Sequence, residues 1–323
     1  MPFLIGTDEA GYGPNLGPLT VTGTLWETPD TSTDLYSALE ASIRQQSKGD
    51  GIFVADSKKV YSSGSIKALE TSVLSLVYAL HQRLPTSWFD LVEMICSPDS
   101  VKQLPNQVWL SKKSLQESSK DNFKFPLKAD PDRIKELGQN FLVNCENAGV
   151  QLLALECVPV FPPQFNSQIE KLGNKATLLS SETLQIVSRL MTQTDDDLEI
   201  GCDKHGGRSK YGALIQQFLT DEFVMVGAES LEISDYSFRE RDRDVVIRFQ
   251  AKGESFLPTA LASMVSKYLR EIFMGLWNEF WKLKIPDIKP TKGYPVDAKR
   301  FKSEIAKVQA ELGIADSLIW RNR

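Results

Sequence analysis

The chain has 323 residues, 37 Lys and Arg against 42 Asp and Glu, and a formal net charge of −5. With 41% hydrophobic and 24% charged residues, the composition is that of an ordinary globular protein and excludes disordered, collagen-like, coiled-coil and membrane-channel chains. No apolar run approaches the roughly 18 residues of a membrane span, so no membrane association is expected. The length predicts one large domain or two modest ones.

The elements are read in chain order. Residues 2–8 and 18–26 are predicted strands of a meander, separated by GYGPNLGP. The start MPFLIGTDEAG lacks a basic region and is not expected to be a signal peptide. Residues 66–84 place Ile66, Leu69, Val73, Leu76, Val77, Leu80 and Leu84 at helical spacing, and 88–96 (WFDLVEMIC) suggests a strand. From Asp99 to Ala129 the apolar pattern collapses, which predicts an insertion loop. Its Lys112, Lys113, Lys120 and Lys124 are candidate phosphate contacts, with Trp109 or Phe123 able to stack on a base; a solvated insertion has equal weight.

Asp130-Pro131 starts a helix and Gly149 ends it, with Ile134, Leu137, Phe141 and Cys145 facing inward. A strand at 151–158, a helix at 175–192, a strand at 198–203, a turn at Gly206-Gly207 and a helix at 210–220 follow. Residues 229–238 and 243–251 predict a hairpin. A long helix follows Pro258, then a Pro-punctuated linker and a last helix at 298–312. Mixed strands and helices predict an α/β fold. Cys96, Cys145, Cys157 and Cys202 form no CxxC or zinc pattern, which favours a reduced, cytoplasmic protein.

Two features carry chemistry. Asp8 and Glu9 end the first strand, where paired carboxylates can hold a hard divalent cation; a solvated acidic turn is the alternative. Neighbours on a strand face opposite ways, so both can serve one site only near a bend, and Gly11 follows closely. The glycines of GYGPNLG do not open a helix but lead into the strand LTVTGTLW, so a dinucleotide-binding loop is rejected.

IGTDEAGYGPNLGPLTVTG resembles the opening of ribonuclease HII, the type 2 ribonuclease H family. VADSKKVY (54–61), GNKATLLSSETL (173–184), LASMVSKYLRE (261–271) and GYPVDAKRF (293–301) resemble further family segments in the family's order. The likeness covers roughly residues 1–80 and 150–310. It implies a ribonuclease H-like mixed sheet flanked by helices with a helical C-terminal extension. The core would be 1–265, with an insertion at about 85–150, and the extension 266–323.

The resemblance also implies a metal-dependent endonuclease that hydrolyses RNA in RNA–DNA hybrids or at ribonucleotides embedded in DNA. Four carboxylates would hold two Mg²⁺ or Mn²⁺ ions, which stabilise the attacking and leaving oxygens of the phosphodiester. By similarity the catalytic and metal-binding residues are Asp8, Glu9, Asp203 and Glu254. Glu254 requires a one-residue register shift, and Gly253 before it can aim its side chain inward; a solvated residue ahead of the helix is the other reading. Asp203 could instead cap a helix near Arg208. The substrate-binding residues implied are Gly11, Tyr12, Gly13, Ser57, Lys58 and Tyr294, with Tyr294 beside the ribose and Lys58 at a phosphate. Tyr12 departs from the basic residue usual there and could be a packing residue. Lys267 and Arg270 could line the groove or a solvated helix face, and His205 is expected to be a loop histidine.

Residues 265–323 hold 12 basic and 7 acidic side chains, a basic region beside an acidic site. The partner expected is a hybrid or ribonucleotide-containing duplex, bound by a monomer. The rivals are a nuclease of the same fold with another nucleic-acid substrate, and a non-catalytic nucleic-acid-binding relative.

Overall fold

The computed structural model describes residues 1–61, 65–110 and 125–322. Lys112, Lys113, Lys120, Phe123 and Lys124, expected to contact nucleic acid, lie outside the described residues.

Nine strands run in chain order among the described residues: β1 (Phe3–Ala10), β2 (Leu19–Glu27), β3 (Ile43–Arg44), β4 (Ile52–Phe53), β5 (Gln151–Val160), β6 (Leu198–Asp203), β7 (Met225–Glu229), β8 (Ile233–Glu240) and β9 (Arg243–Gln250). Seven form one sheet in the order β5-β2-β1-β6-β9-β8-β7, and β3 and β4 form a separate pair. The central strands β1, β6 and β9 are parallel, while β2, β5 and β8 are antiparallel to their neighbours. The expected mixed sheet flanked by helices is therefore present. The predicted hairpin is β8–β9, closed by Arg241 (φ 49°) and Asp242 (φ 67°), a pair of left-handed residues that matches the twist of the strands.

The helices are α1 (Leu35–Ala38), α2 (Ser57–Val60), α3 (Lys67–His81), α4 (Trp88–Ile95), α5 (Pro98–Gln103), α6 (Pro131–Ala148), α7 (Pro162–Leu172), α8 (Lys175–Met191), α9 (Gly212–Phe218), α10 (Leu257–Lys284) and α11 (Pro295–Glu311). α10 packs on one face of β1 and β2, and α8 on the other. Two apolar cores result, one containing Leu4, Trp26, Leu261, Val265 and Leu269, the other Ile5, Val21, Leu179, Ile186 and Ile200. Leu4 and Ile5 divide between them because consecutive strand residues face opposite sides. Gly6 lets α10 approach: a Cβ there would lie 2.1 Å from the Pro258 carbonyl carbon. The expected boundary at 265/266 falls inside α10.

Two local expectations change. Residues 88–95 are a helix: Ser87 caps it by accepting from the Asp90 N–H, and Trp88, Leu91, Val92 and Ile95 form its buried face. A short apolar run fits both periods, and the cap decides it. The second is Trp109, which is no exposed stacking platform. It is 3% exposed, and its ring centroid lies 5.8 Å from Phe161 and 5.7 Å from Trp277. Glu70 anchors the far end of this region, its carboxylate accepting the N–H groups of Leu127, Lys128 and Ala129 and the Tyr268 hydroxyl.

Candidate metal centre

The parallel pairing of β1 and β6 builds the site. Thr7 is opposite Cys202, so one step further along both strands sets Asp8 beside Asp203 at the carboxyl-terminal edge of the sheet. Asp8 shares the α10 face with Gly6, and Asp203 shares it with Gly201. Ser266 on α10 donates to the Asp8 carbonyl at 3.1 Å, and the Asp8 carboxylate accepts the Glu9 N–H at 2.6 Å. Gly11, at φ 90°, turns the chain just after Glu9. One carboxylate oxygen each from Asp8, Glu9 and Asp203 lies within 4.8 Å of the others.

These acids line a cavity of about 230 Å³ together with Gly11, Asp56, Ser57, Lys58, Glu254, Ser263, Lys267 and Tyr294. Burial first, and then the Asp203 carboxylate, pushes Asp8 up to about 8. Burial, with Asp8 and Asp203 beside it, holds Glu9 well above the usual carboxylate range. Burial also raises Asp203, opposed by the Gly253 N–H and reinforced by Glu254. Crowded carboxylates retain protons unless a cation neutralises them. A set of hard oxygen donors this close suits Mg²⁺ or Mn²⁺, so the residues fit the metal that the family resemblance implies.

Glu254 sits in the 3₁₀ turn Gly253–Ser255, half-buried, facing the same cavity but outside the group of three. The residue that turns the chain toward it is not Gly253 as expected. Lys252 adopts the left-handed conformation, at φ 62°. Gly253 instead permits close packing, since a Cβ there would lie 3.0 Å from the Thr259 methyl carbon.

The residues expected to bind substrate divide. Gly11, Ser57, Lys58 and Tyr294 line the cavity, whereas Tyr12 and Gly13 do not. Tyr12 is half-buried against the second core, with the Lys175 ammonium 5.0 Å from its ring centroid, and Gly13 is exposed. Asp56 caps α2 by accepting the Lys58 N–H, and Ser57 accepts from Ser263 at 3.1 Å. Tyr294 occupies the N-cap position of α11 without a side-chain capping bond and is 53% exposed. Asp203 caps no helix: α9 begins at Gly212, preceded by Tyr211. His205 is buried, its Nδ1 2.8 Å from the Ser180 hydroxyl, and burial pushes it down to about 3.

Lys267 reaches the cavity while bonding Glu271 at 2.6 Å. Arg270 also lines the cavity but is buried, its Nη2 donating to the carbonyls of Leu16 and Lys292. Asp56 and Ser263 were not singled out from sequence, although both lie inside segments that resemble the family. Only α2 and α10 packing together brings them to the acids.

No family model and no curated protein matches the chain. Solved structures do. In fold, the chain is similar to ribonucleases HII and HIII. The RNase HII of Archaeoglobus fulgidus, solved in a complex with PCNA, is 15% identical with a TM-score of 0.41, over 99% of this chain and 94% of that one. The ribonuclease H2 of Pyrococcus horikoshii OT3 is 13% identical with a TM-score of 0.42, over 98% and 92%. Bst-RNase HIII, solved with Mn²⁺, is 14% identical with a TM-score of 0.39, over 99% and 65%. Among the described residues, no helix is long and apolar enough to cross a membrane.

Proposed function

We propose that this chain is a metal-dependent endonuclease of the ribonuclease HII type, cutting RNA in RNA–DNA hybrids or at ribonucleotides embedded in DNA. The observation that carries the reading is the cluster of Asp8, Glu9 and Asp203 in a cavity that also presents Lys58 and Tyr294.

In this reading Asp8, Glu9, Asp203 and Glu254 hold Mg²⁺ or Mn²⁺. When bound, the metal pair supplies Lewis-acid stabilisation of the charge that builds on the attacking and leaving oxygens. The chain's own groups orient the substrate. The exposed Lys58 ammonium at the cavity wall attracts the phosphate, and the backbone at Gly11 allows close approach. The exposed face of Tyr294 packs against the ribose, where a 2′-hydroxyl distinguishes RNA from DNA. The four cysteines are free and buried, consistent with a reduced cytoplasmic setting, and the protein is proposed to act there as a monomer.

The test is cleavage of three labelled duplexes, one with a single ribonucleotide, one a full hybrid and one plain DNA, each with Mg²⁺ and with Mn²⁺. Cleavage at the ribonucleotide or along the RNA strand, abolished by EDTA, is the expected result. Metal-dependent cutting of plain DNA alone would move the assignment to another nucleic-acid substrate. Metal-independent binding without cutting would move it to a non-catalytic relative.

A further inference from the structure

The loop 11–17 and the Lys292–Tyr294 turn are far apart in sequence, yet one buried guanidinium, that of Arg270 at the cavity wall, joins the two, and a second, that of Arg321, bonds the loop. Arg270 of α10, 4% exposed, donates to the Leu16 carbonyl at 3.3 Å and to the Lys292 carbonyl at 3.0 Å. Arg321, 1% exposed, donates to the Gly11 carbonyl at 2.8 Å, and its own backbone N–H donates to the Asn15 carbonyl at 2.9 Å. The loop returns the connection, since the Asn15 and Leu16 N–H groups both donate to the Gly293 carbonyl. Leu16 also forms a bridge with Trp320.

Arg321 is incompletely paired for a buried charge. Its guanidinium lies 4.9 Å from the Phe165 ring, and Nε and Nη2 are buried without a hydrogen-bond partner. Among the described residues no ion pair to a carboxylate is recorded for it. An unpaired buried charge costs stability, and an apolar side chain of similar length would avoid that cost. Its one side-chain hydrogen bond ends on Gly11, a cavity residue two positions after Glu9.

We propose that Arg321 is a positioning residue: it holds the Gly11 end of the 11–17 loop, which Arg270 and the Gly293 carbonyl tie to the Lys292–Tyr294 turn, so that loop and turn form a single substrate platform. The proposal rests on the nuclease reading, in which Gly11 approaches the cut phosphate and Tyr294 the ribose. A fixed Gly11 carbonyl fixes the Gly11–Tyr12 peptide plane. The phosphate side and the ribose side of the site then keep one spacing, which is what in-line attack requires.

The experiment compares the full-length wild-type chain with Arg321→Met and Arg321→Lys. Hydrogen exchange reports the Asn15 and Leu16 amides, and steady-state cleavage of a duplex with one ribonucleotide reports kcat and KM. Arg321→Met should raise exchange at these amides about tenfold or more and lower kcat about tenfold with KM within about twofold. Its melting temperature should equal or exceed that of wild type. Arg321→Lys, which keeps a donor, should recover part of kcat. If Arg321→Met does not fold, Arg321→Lys is read alone and must show intermediate exchange and kcat. Unchanged exchange overturns the lock, and faster exchange with unchanged kcat overturns the positioning role. A wild-type protein that cleaves no duplex refutes the nuclease reading and with it the catalytic role of Arg321, while exchange separately decides whether the lock exists.

Discussion

Asp8→Asn tests the metal site most directly, because it should change stability and activity in opposite directions. Without metal, burial and the neighbouring Asp203 push Asp8 up to about 8 from an ordinary 3.8. For an acid raised in this way, folding disfavours the ionised form. Stability is then greatest below the unfolded value and is lost as pH rises from about 4 through about 8. At about 1.4 kcal/mol per pH unit, that interval bounds the cost at a few kcal/mol, spread over the three coupled carboxylates. The repulsion is shared with Glu9 and Asp203, which relax when one charge is removed, so Asn in place of Asp8 should return about 2 kcal/mol at pH 8. For a chain of this size that is about 3 °C in melting temperature.

The assay is a thermal melt in EDTA at pH 4.5 and pH 8, repeated at pH 8 with Mg²⁺ or Mn²⁺. The variant should melt above wild type at pH 8 in EDTA, with most of the gain gone at pH 4.5. Metal should stabilise wild type by mass action and the variant much less. Cleavage by the variant should be abolished. Equal melting of the two proteins at pH 8 in EDTA, or equal stabilisation of both by metal, refutes the assignment of Asp8 to a crowded cation site.

Four further outcomes are expected. Tyr294→Ala should lower turnover at an embedded ribonucleotide about tenfold while duplex affinity, set by phosphate contacts, changes little; single-turnover cleavage beside a binding titration separates the two. Glu254→Gln should raise the Mn²⁺ concentration needed for half-maximal cleavage by about tenfold, read by metal titration, and an unaltered curve would remove Glu254 from the metal set. Glu70→Ala should cost about 3 kcal/mol or more in urea unfolding, because three backbone N–H groups and the Tyr268 hydroxyl lose their acceptor. Trp109→Ala should cost about 3–5 kcal/mol through the cavity it leaves among Phe161, Phe273 and Trp277, with no change in the salt dependence of hybrid binding.

The helix at 131–148 was legible in full from sequence because its signals are local. Asp130 caps it, Pro131 opens it, Gly149 closes it at φ 63°, and Ile134, Leu137, Phe141 and Cys145 are its buried face. The β8–β9 hairpin and the long α10 were legible for the same reason: period and turn chemistry lie within a few residues. Residues 88–95 misled because eight residues carry too little periodicity to separate helix from strand, and Trp109 misled because its lysine-rich neighbours hid a side chain that belongs to the core.

Asp8, Glu9 and Asp203 could be named from sequence motifs, but nothing local places residues 8 and 203 together. That depends on the parallel register of β1 and β6, which pairs Thr7 with Cys202. Tertiary packing alone also decided that Tyr12 turns to the second core, that Lys252 rather than Gly253 takes the left-handed conformation, and that Arg321 reaches Gly11. Cap, turn and periodicity free energies act between residues close in the chain, so they leave a mark in the sequence itself. Side-chain direction and contacts across 310 positions are settled only when the sheet closes against its helices. No short stretch of sequence records them.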